Sequence, residues 1–256
     1  MSHHIVEVRN LHHTYPDGTV ALNGVNFRIT HGEAVAVVGA NGAGKSTLLL
    51  HLNGFLTPQQ GEVRIGDFPL TPKTLEAIRR TVGMVFQDPD DQLFMPSVFD
   101  DVAFGPLNLG LPHEEVKQRV EQALSRVDAL HLAKRQPYNL SGGEKRNIAI
   151  ATVLAMSPDI LVMDEPTTGL DPASRRRLLH LLASFEHTRI IATHDLDLVM
   201  DICQRTLVMH QGQVVADGSP GEIFQDTDLL TRCHLEPPLA MQNCPRCGHR
   251  KKGEPT

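Results

Sequence analysis

Apolar and polar positions first alternate along the chain and then merge into solid apolar runs, and the change of rhythm marks the elements. Residues 5–9 and 25–29 show strand-like alternation, and Pro16-Asp17-Gly18 between them predicts a turn. Residues 34–38, 81–86, 159–164 and 189–193 are short apolar runs, which predict strands, the first and last of them buried. Residues 62–65 predict a short strand after a turn at 57–61, and residues 75–80 a helix. Residues 87–94 are too polar and turn-rich for regular structure. From 98 to 157 the period lengthens: Val116, Val120, Ala123, Leu124 and Val127 fall on one helical face, with Glu114 and Glu115 in the first turn. A second helix is predicted over 145–156, and a hairpin over 206–216 closes the pattern. Strands alternating with helices around one helical stretch predict a single α/β domain with a helical insertion.

Composition narrows the class. The 256 residues are 41% hydrophobic, enough for a packed core, and contain no Trp. A formal charge of −6 leaves no basic footprint for nucleic acid. The runs Arg175-Arg176-Arg177 and Arg250-Lys251-Lys252 read as a solvated helix face and a tail. No apolar run approaches the roughly 18 residues that span a bilayer, and the N-terminus lacks the apolar segment of a signal peptide. The expected compartment is therefore the cytosol, where Cys203, Cys233, Cys244 and Cys247 stay reduced.

Chemistry concentrates where apolar runs stop. Gly39-Ala40-Asn41-Gly42-Ala43-Gly44-Lys45-Ser46-Thr47 fits G-x-x-x-x-G-K-[ST], follows a predicted strand and opens a helix. Glycines let the backbone N–H groups converge on an anion at a helix N-terminus; Lys45 can reach β- and γ-phosphates, and Ser46 a Mg²⁺ ion. A nucleoside triphosphate is the expected ligand. Asp164 and Glu165 end an apolar strand, the place where open sheets bind ligands. Asp164 is expected to hold Mg²⁺, and Glu165 to orient or deprotonate a water. His194, at the end of another strand, is the candidate γ-phosphate contact. Gly142-Gly143 at a helix start suggests a second set of donors aimed at an anion. Tyr15, beside the first turn, could stack on a purine or simply pack.

Together these motifs resemble the ATP-binding subunit of ABC transporters over roughly residues 5–235. Leu140-Ser141-Gly142-Gly143-Glu144 looks like that family's signature, with Glu144 where Gln is usual. Gln87 matches its Q-loop, Thr168-Gly169-Leu170-Asp171 its D-loop, and His194 its switch histidine. The resemblance implies a phosphate-loop NTPase core sheet, an antiparallel β subdomain, a helical signature subdomain over about 88–157, and a cassette ending near 236. It implies ATP and Mg²⁺, the ion held by Ser46, Gln87 and Asp164. Tyr15, Gly39, Asn41, Gly42, Gly44, Lys45, Ser46 and Thr47 would face the nucleotide, with Glu165, His194 and Gln87 at the reacting end. It also implies a head-to-tail dimer, here expected to be a homodimer, in which Ser141, Gly142, Gly143 and Asp171 meet the partner's ATP.

Residues 85–94 and 101–106 are similar to the ATPases of energy-coupling-factor (ECF) transporters, in particular the cobalt/nickel uptake branch. That resemblance implies a peripheral ATPase on the cytoplasmic face of the cell membrane, bound to an integral coupling protein and working with a separate substrate-capture protein. The alternatives are a conventional ABC importer ATPase for another solute and a soluble ABC ATPase of DNA repair or translation. The second is disfavoured by the short helical insertion, the single cassette and the missing basic patch. Residues 237–256, after Pro237-Pro238, carry Cys244-Pro245-Arg246-Cys247-Gly248-His249, half of a zinc-knuckle pattern that His249, Cys233, His234 or a second subunit could complete.

Overall fold

The computed structural model describes residues 6–242, so Cys244, Cys247 and His249 lie outside the described residues. The chain opens with β1 (Val6–Thr14) and β2 (Val20–Ile29), then β3 (Ala34–Val38), the phosphate loop and α1 (Lys45–Leu52). β4 (Gln60–Ile65), β5 (Phe68–Pro69), α2 (Leu75–Thr81) and β6 (Val82–Val85) follow. The helical stretch is α3 (Val98–Asn108), α4 (His113–Arg126) and α5 (Gly142–Leu154). Next come β7 (Ile160–Asp164), α6 (Pro172–Ala183), β8 (Thr188–Ala192) and α7 (Leu196–Ile202). β9 (Arg205–His210), β10 (Gln213–Gly218), α8 (Pro220–Gln225) and α9 (Thr227–Arg232) complete it.

Two sheets result. One is antiparallel in the order β2-β1-β4-β5; the other runs β10-β9-β3-β8-β7-β6, parallel except for β10. β3, β7 and β8 are buried at every position because both faces are covered. Val35 and Val37 pack with α1 and the antiparallel sheet, whereas Ala36 and Val38 pack toward α3–α9. Register then places the chemistry. Asp164 and Val37 both pair with Ala192, so the phosphate loop, Glu165 and His194 emerge from one edge of the sheet. Val85 pairs with Met163, which brings Gln87 alongside.

Arg175 is not simply solvated: its guanidinium grips Asp195, at 2.7 and 2.9 Å, while Arg176 and Arg177 are exposed. Cys233 is fully buried in the core beneath α8 and α9, so it is not available to complete a surface metal site. Val127 stands at the C-cap of α4 and is buried with that face, and α5 begins at Gly142, three residues before the expected start. After α9 the chain does not break away at Pro237-Pro238. Asp197 accepts from Leu239 N and Ala240 N and ties it back. No helix among the described residues is long and apolar enough to cross a membrane.

Candidate active site

The phosphate loop is shaped by collisions that only glycine avoids. A Cβ on Gly39 would stand 2.3 Å from Met209 O, and one on Gly44 (φ +101°) 2.4 Å from Ala21 O. Lys45 is buried, and its Nζ donates to Gly39 O at 2.8 Å and Ala40 O at 3.2 Å, so the loop folds around its own ammonium. Tyr15, Asn41 to Thr47, Gln87 and Glu165 line a cavity of about 430 Å³. The donors of a helix N-terminus, a buried ammonium and a half-buried aromatic therefore face one space, which fits a nucleoside triphosphate.

Asp164 is buried, with Oδ1 lacking any hydrogen-bond partner. Burial raises its pKa above the ordinary carboxylate range and Glu165 adds to this; the Ser46 hydroxyl, Lys45 and Arg146 oppose it. An orphaned buried carboxylate oxygen beside a serine hydroxyl is a hard-oxygen donor set, and it fits Mg²⁺. Gln87 lines both this cavity and a second one of about 560 Å³ that holds Ser46, Asp164, Arg146, Phe86 and Asp88.

Glu165 and His194 meet directly. His194 Nδ1 lies 2.7 Å from Glu165 Oε2, which also accepts from His194 N and Thr193 Oγ1. Glu165 is buried and adopts a positive φ of 47°, which turns its side chain off the end of β7. His194, the candidate γ-phosphate contact, thus pairs with a carboxylate, which sequence spacing did not suggest.

Ser141 caps α5 through a capping box: its Oγ accepts from Glu144 N, and Glu144 Oε2 accepts from Ser141 N and Oγ. Those Ser141 hydrogen bonds hold the Glu144 carboxyl below its usual range, and the helix N-terminus suits the charge, so Glu in place of Gln is stabilising here. Gly142 faces open space, where a Cβ would meet nothing within 4 Å, and a Cβ on Gly143 would make only ordinary contact with Leu170 at 3.9 Å. Asp171 caps α6, accepting from Ala173 N and Ser174 N.

Sequence reading passed over Arg146. It is buried on α5 and donates to Phe86 O at 2.9 Å and Gln87 O at 2.6 Å, so the signature helix holds the Q-loop backbone. Gln92 does the same from the other side, accepting from Phe86 N and donating to Ala149 O and Thr152 Oγ1.

Residues 22–168 match the ABC transporter family model. The chain belongs to the ABC transporter ATP-binding family. It is 68% identical over 248 residues to the Geobacter sulfurreducens protein named "Putative ABC transporter ATP-binding protein GSU1281", covering 97% of this chain and all of that one. It is 48% identical to the energy-coupling factor transporter ATP-binding protein EcfA of Methanocaldococcus jannaschii, over 92% of this chain and 86% of that protein. CbiO1 of Clostridium perfringens, part of the ABC transporter complex CbiONQ, superposes with a TM-score of 0.77 at 42% identity, over 90% of this chain and 94% of that one. A dimeric ATP-binding cassette bound to ADP and Pi also gives 0.77, at 29% identity, over 84% of this chain and 98% of that one. This ABC cassette is an ATPase subunit of an ABC transporter, and its fold is the cassette fold.

Proposed function

We propose that this ATPase energises uptake of cobalt or nickel through an ECF-type transporter, as a homodimer seated on an integral coupling protein at the cytoplasmic face of the membrane. The observation that carries it is the surface beside Gln87. The 560 Å³ cavity there has Leu50, Met84 and Phe86 on its wall, and the exposed Phe55 packs on Phe86. Phe94, itself exposed, meets Phe104 edge to face on the adjoining helical segment. Exposed phenylalanines around a cleft suit an amphipathic helix of a membrane partner. The metal cargo draws its support from the likeness to CbiO1 of the CbiONQ complex.

ATP phosphates would be met by the loop N–H groups and Lys45, with Tyr15 against the base. Ser46, Asp164 and Gln87 would hold Mg²⁺, which would supply charge neutralisation for the phosphates. Glu165 would take the proton of the attacking water, with His194 held against it. Gly142 and Gly143 have no intrachain need to be glycine, which supports an anion-binding face completed by a partner's nucleotide.

Purification of the tagged protein from solubilised membranes, with mass spectrometry of what accompanies it, tests the assembly. A coupling protein plus a capture protein is expected, together with cobalt or nickel uptake that depends on Glu165. Recovery of a conventional permease would replace the ECF reading with the importer reading. Normal metal uptake in a Glu165→Gln strain would remove the cargo assignment.

A further inference from the structure

Two histidines sit behind the phosphate loop and take no part in the chemistry above. His13, near the end of β1, and His51, in the last turn of α1, are both buried, and their rings meet edge to face at 4.9 Å. His13 Nδ1 and His51 Nε2 are buried without hydrogen-bond partners. Aliphatic side chains would fill the space without that desolvation cost, so packing alone does not account for two imidazoles.

Their contacts supply the reason. His51 Nδ1 lies 2.7 Å from Thr47 O; a carbonyl only accepts, so Nδ1 carries the hydrogen. Thr47 Oγ1 lies 3.0 Å from the Tyr15 hydroxyl, and the Tyr15 ring meets His13 edge to face at 4.9 Å. The four residues close a circuit, one link of it through the Thr47 carbonyl, between the residue that follows β1 and both ends of the phosphate-loop helix. The backbone next to Tyr15 is anchored separately, because Gln59 accepts from Thr14 N and donates to Thr14 O. What the circuit adds is the orientation of the ring. Burial lowers both imidazole pKa values below the ordinary histidine range, so the pair is uncharged at neutral pH and its edge contact carries no like-charge repulsion.

We propose that His13 and His51 are positioning residues that hold the Tyr15 ring in register with the phosphate loop, so that base and triphosphate are met by one preorganised unit. The proposal rests on the reading of Tyr15 as the base-stacking residue, and it concerns the base rather than the phosphates.

Calorimetric titration with Mg-ATP and, separately, with Mg-tripolyphosphate tests it. His13→Leu and His51→Leu are expected to weaken ATP binding roughly three- to tenfold, the range a stacking contact carries. Tripolyphosphate affinity should stay within about twofold, since the contacts removed run to the Thr47 carbonyl and the Tyr15 ring and not to Lys45 or Ser46. His51→Asn places an amide N–H where Nδ1–H stands and should restore most of the ATP affinity. Equal losses for both ligands would show a merely structural role and overturn the proposal, as would leucine variants that bind ATP like the wild type. Tyr15→Ala separates the two layers. If it leaves ATP affinity unchanged, the stacking reading fails; if it weakens ATP selectively while the leucine variants do not, only the positioning proposal fails. Should a leucine variant not fold, His13→Phe keeps the ring contact and His51→Gln misplaces the donor. Selective ATP loss in the second but not the first is expected, and the reverse overturns the proposal.

Discussion

Glu165 is held by three groups on one side, Thr193 Oγ1, His194 N and His194 Nδ1, and lines the nucleotide cavity on the other. Glutamine in its place keeps the shape and can still engage His194, but it cannot accept the proton of a water. Glu165→Gln is therefore expected to bind ATP like the wild type while phosphate release falls about 10²- to 10⁴-fold, the span of a general base. Parallel ATP titration and steady-state phosphate assays check this, and near-normal turnover would take the catalytic role away from Glu165. The phosphate loop was legible in the sequence because its motif is contiguous, and Asp164 and Glu165 because they end an apolar strand. Arg146 was not, because its partners Phe86 and Gln87 stand about sixty residues upstream, and a lone arginine within a helix carries no mark of such a contact.

At the scale of elements, two caps join chemistry to stability. The Ser141–Glu144 box begins α5, so Ser141→Ala should cost about 1 kcal/mol in denaturant unfolding. Glu144→Gln should cost only a few tenths, since an amide can still make the reciprocal hydrogen bond. A larger loss in the second variant than in the first would mean that the cap is not what holds this helix end. Asp195 begins α7, accepting from Leu198 N, and receives the Arg175 guanidinium from α6. Burial pushes its pKa up, but the Arg175 hydrogen bonds, the Leu198 N–H and the Arg175 charge together outweigh this and hold it below the ordinary range. A carboxylate depressed in the fold stabilises it above the unfolded value of about 3.9, and that stabilisation is lost as pH falls through the folded value. Asp195→Asn keeps the cap but loses the charge. Its melting deficit against the wild type should be constant from pH 8 to about 5 and shrink toward pH 3; a deficit independent of pH would show that the ion pair contributes nothing. These elements also show where sequence reading thins out. The solid apolar strands announced themselves by composition, but α7, α8 and α9 have only six or seven residues each, too short for a helical period to stand out.

Across the whole molecule, glycines divide into those the fold needs and those it does not. Gly39, Gly44 and Gly61 would drive a Cβ to within 2.4 Å of a backbone oxygen, so their presence is explained inside one chain. Gly142 is different. It sits at the first position of α5, without a positive φ, and a Cβ there meets nothing. A side chain at this position should leave the isolated chain as stable as before, or slightly more so, because glycine is a poor helix residue. The same side chain would project from the capped end of α5 into the space assigned to a partner's phosphates. Gly142→Leu in a Glu165→Gln background is accordingly expected to keep its melting temperature and its ATP affinity as a monomer. The dimer that Glu165→Gln alone should form with Mg-ATP would be missing. Light scattering on the two proteins, with and without nucleotide, makes the comparison. A dimer that survives leucine at 142 would mean that the signature face is not where two copies meet, and the head-to-tail arrangement would have to be given up. A variant that unfolds would contradict the open space found around this glycine. Gly39→Ala is the internal contrast: there the loss should appear as instability of the single chain, since the Met209 carbonyl stands in the way before any partner arrives.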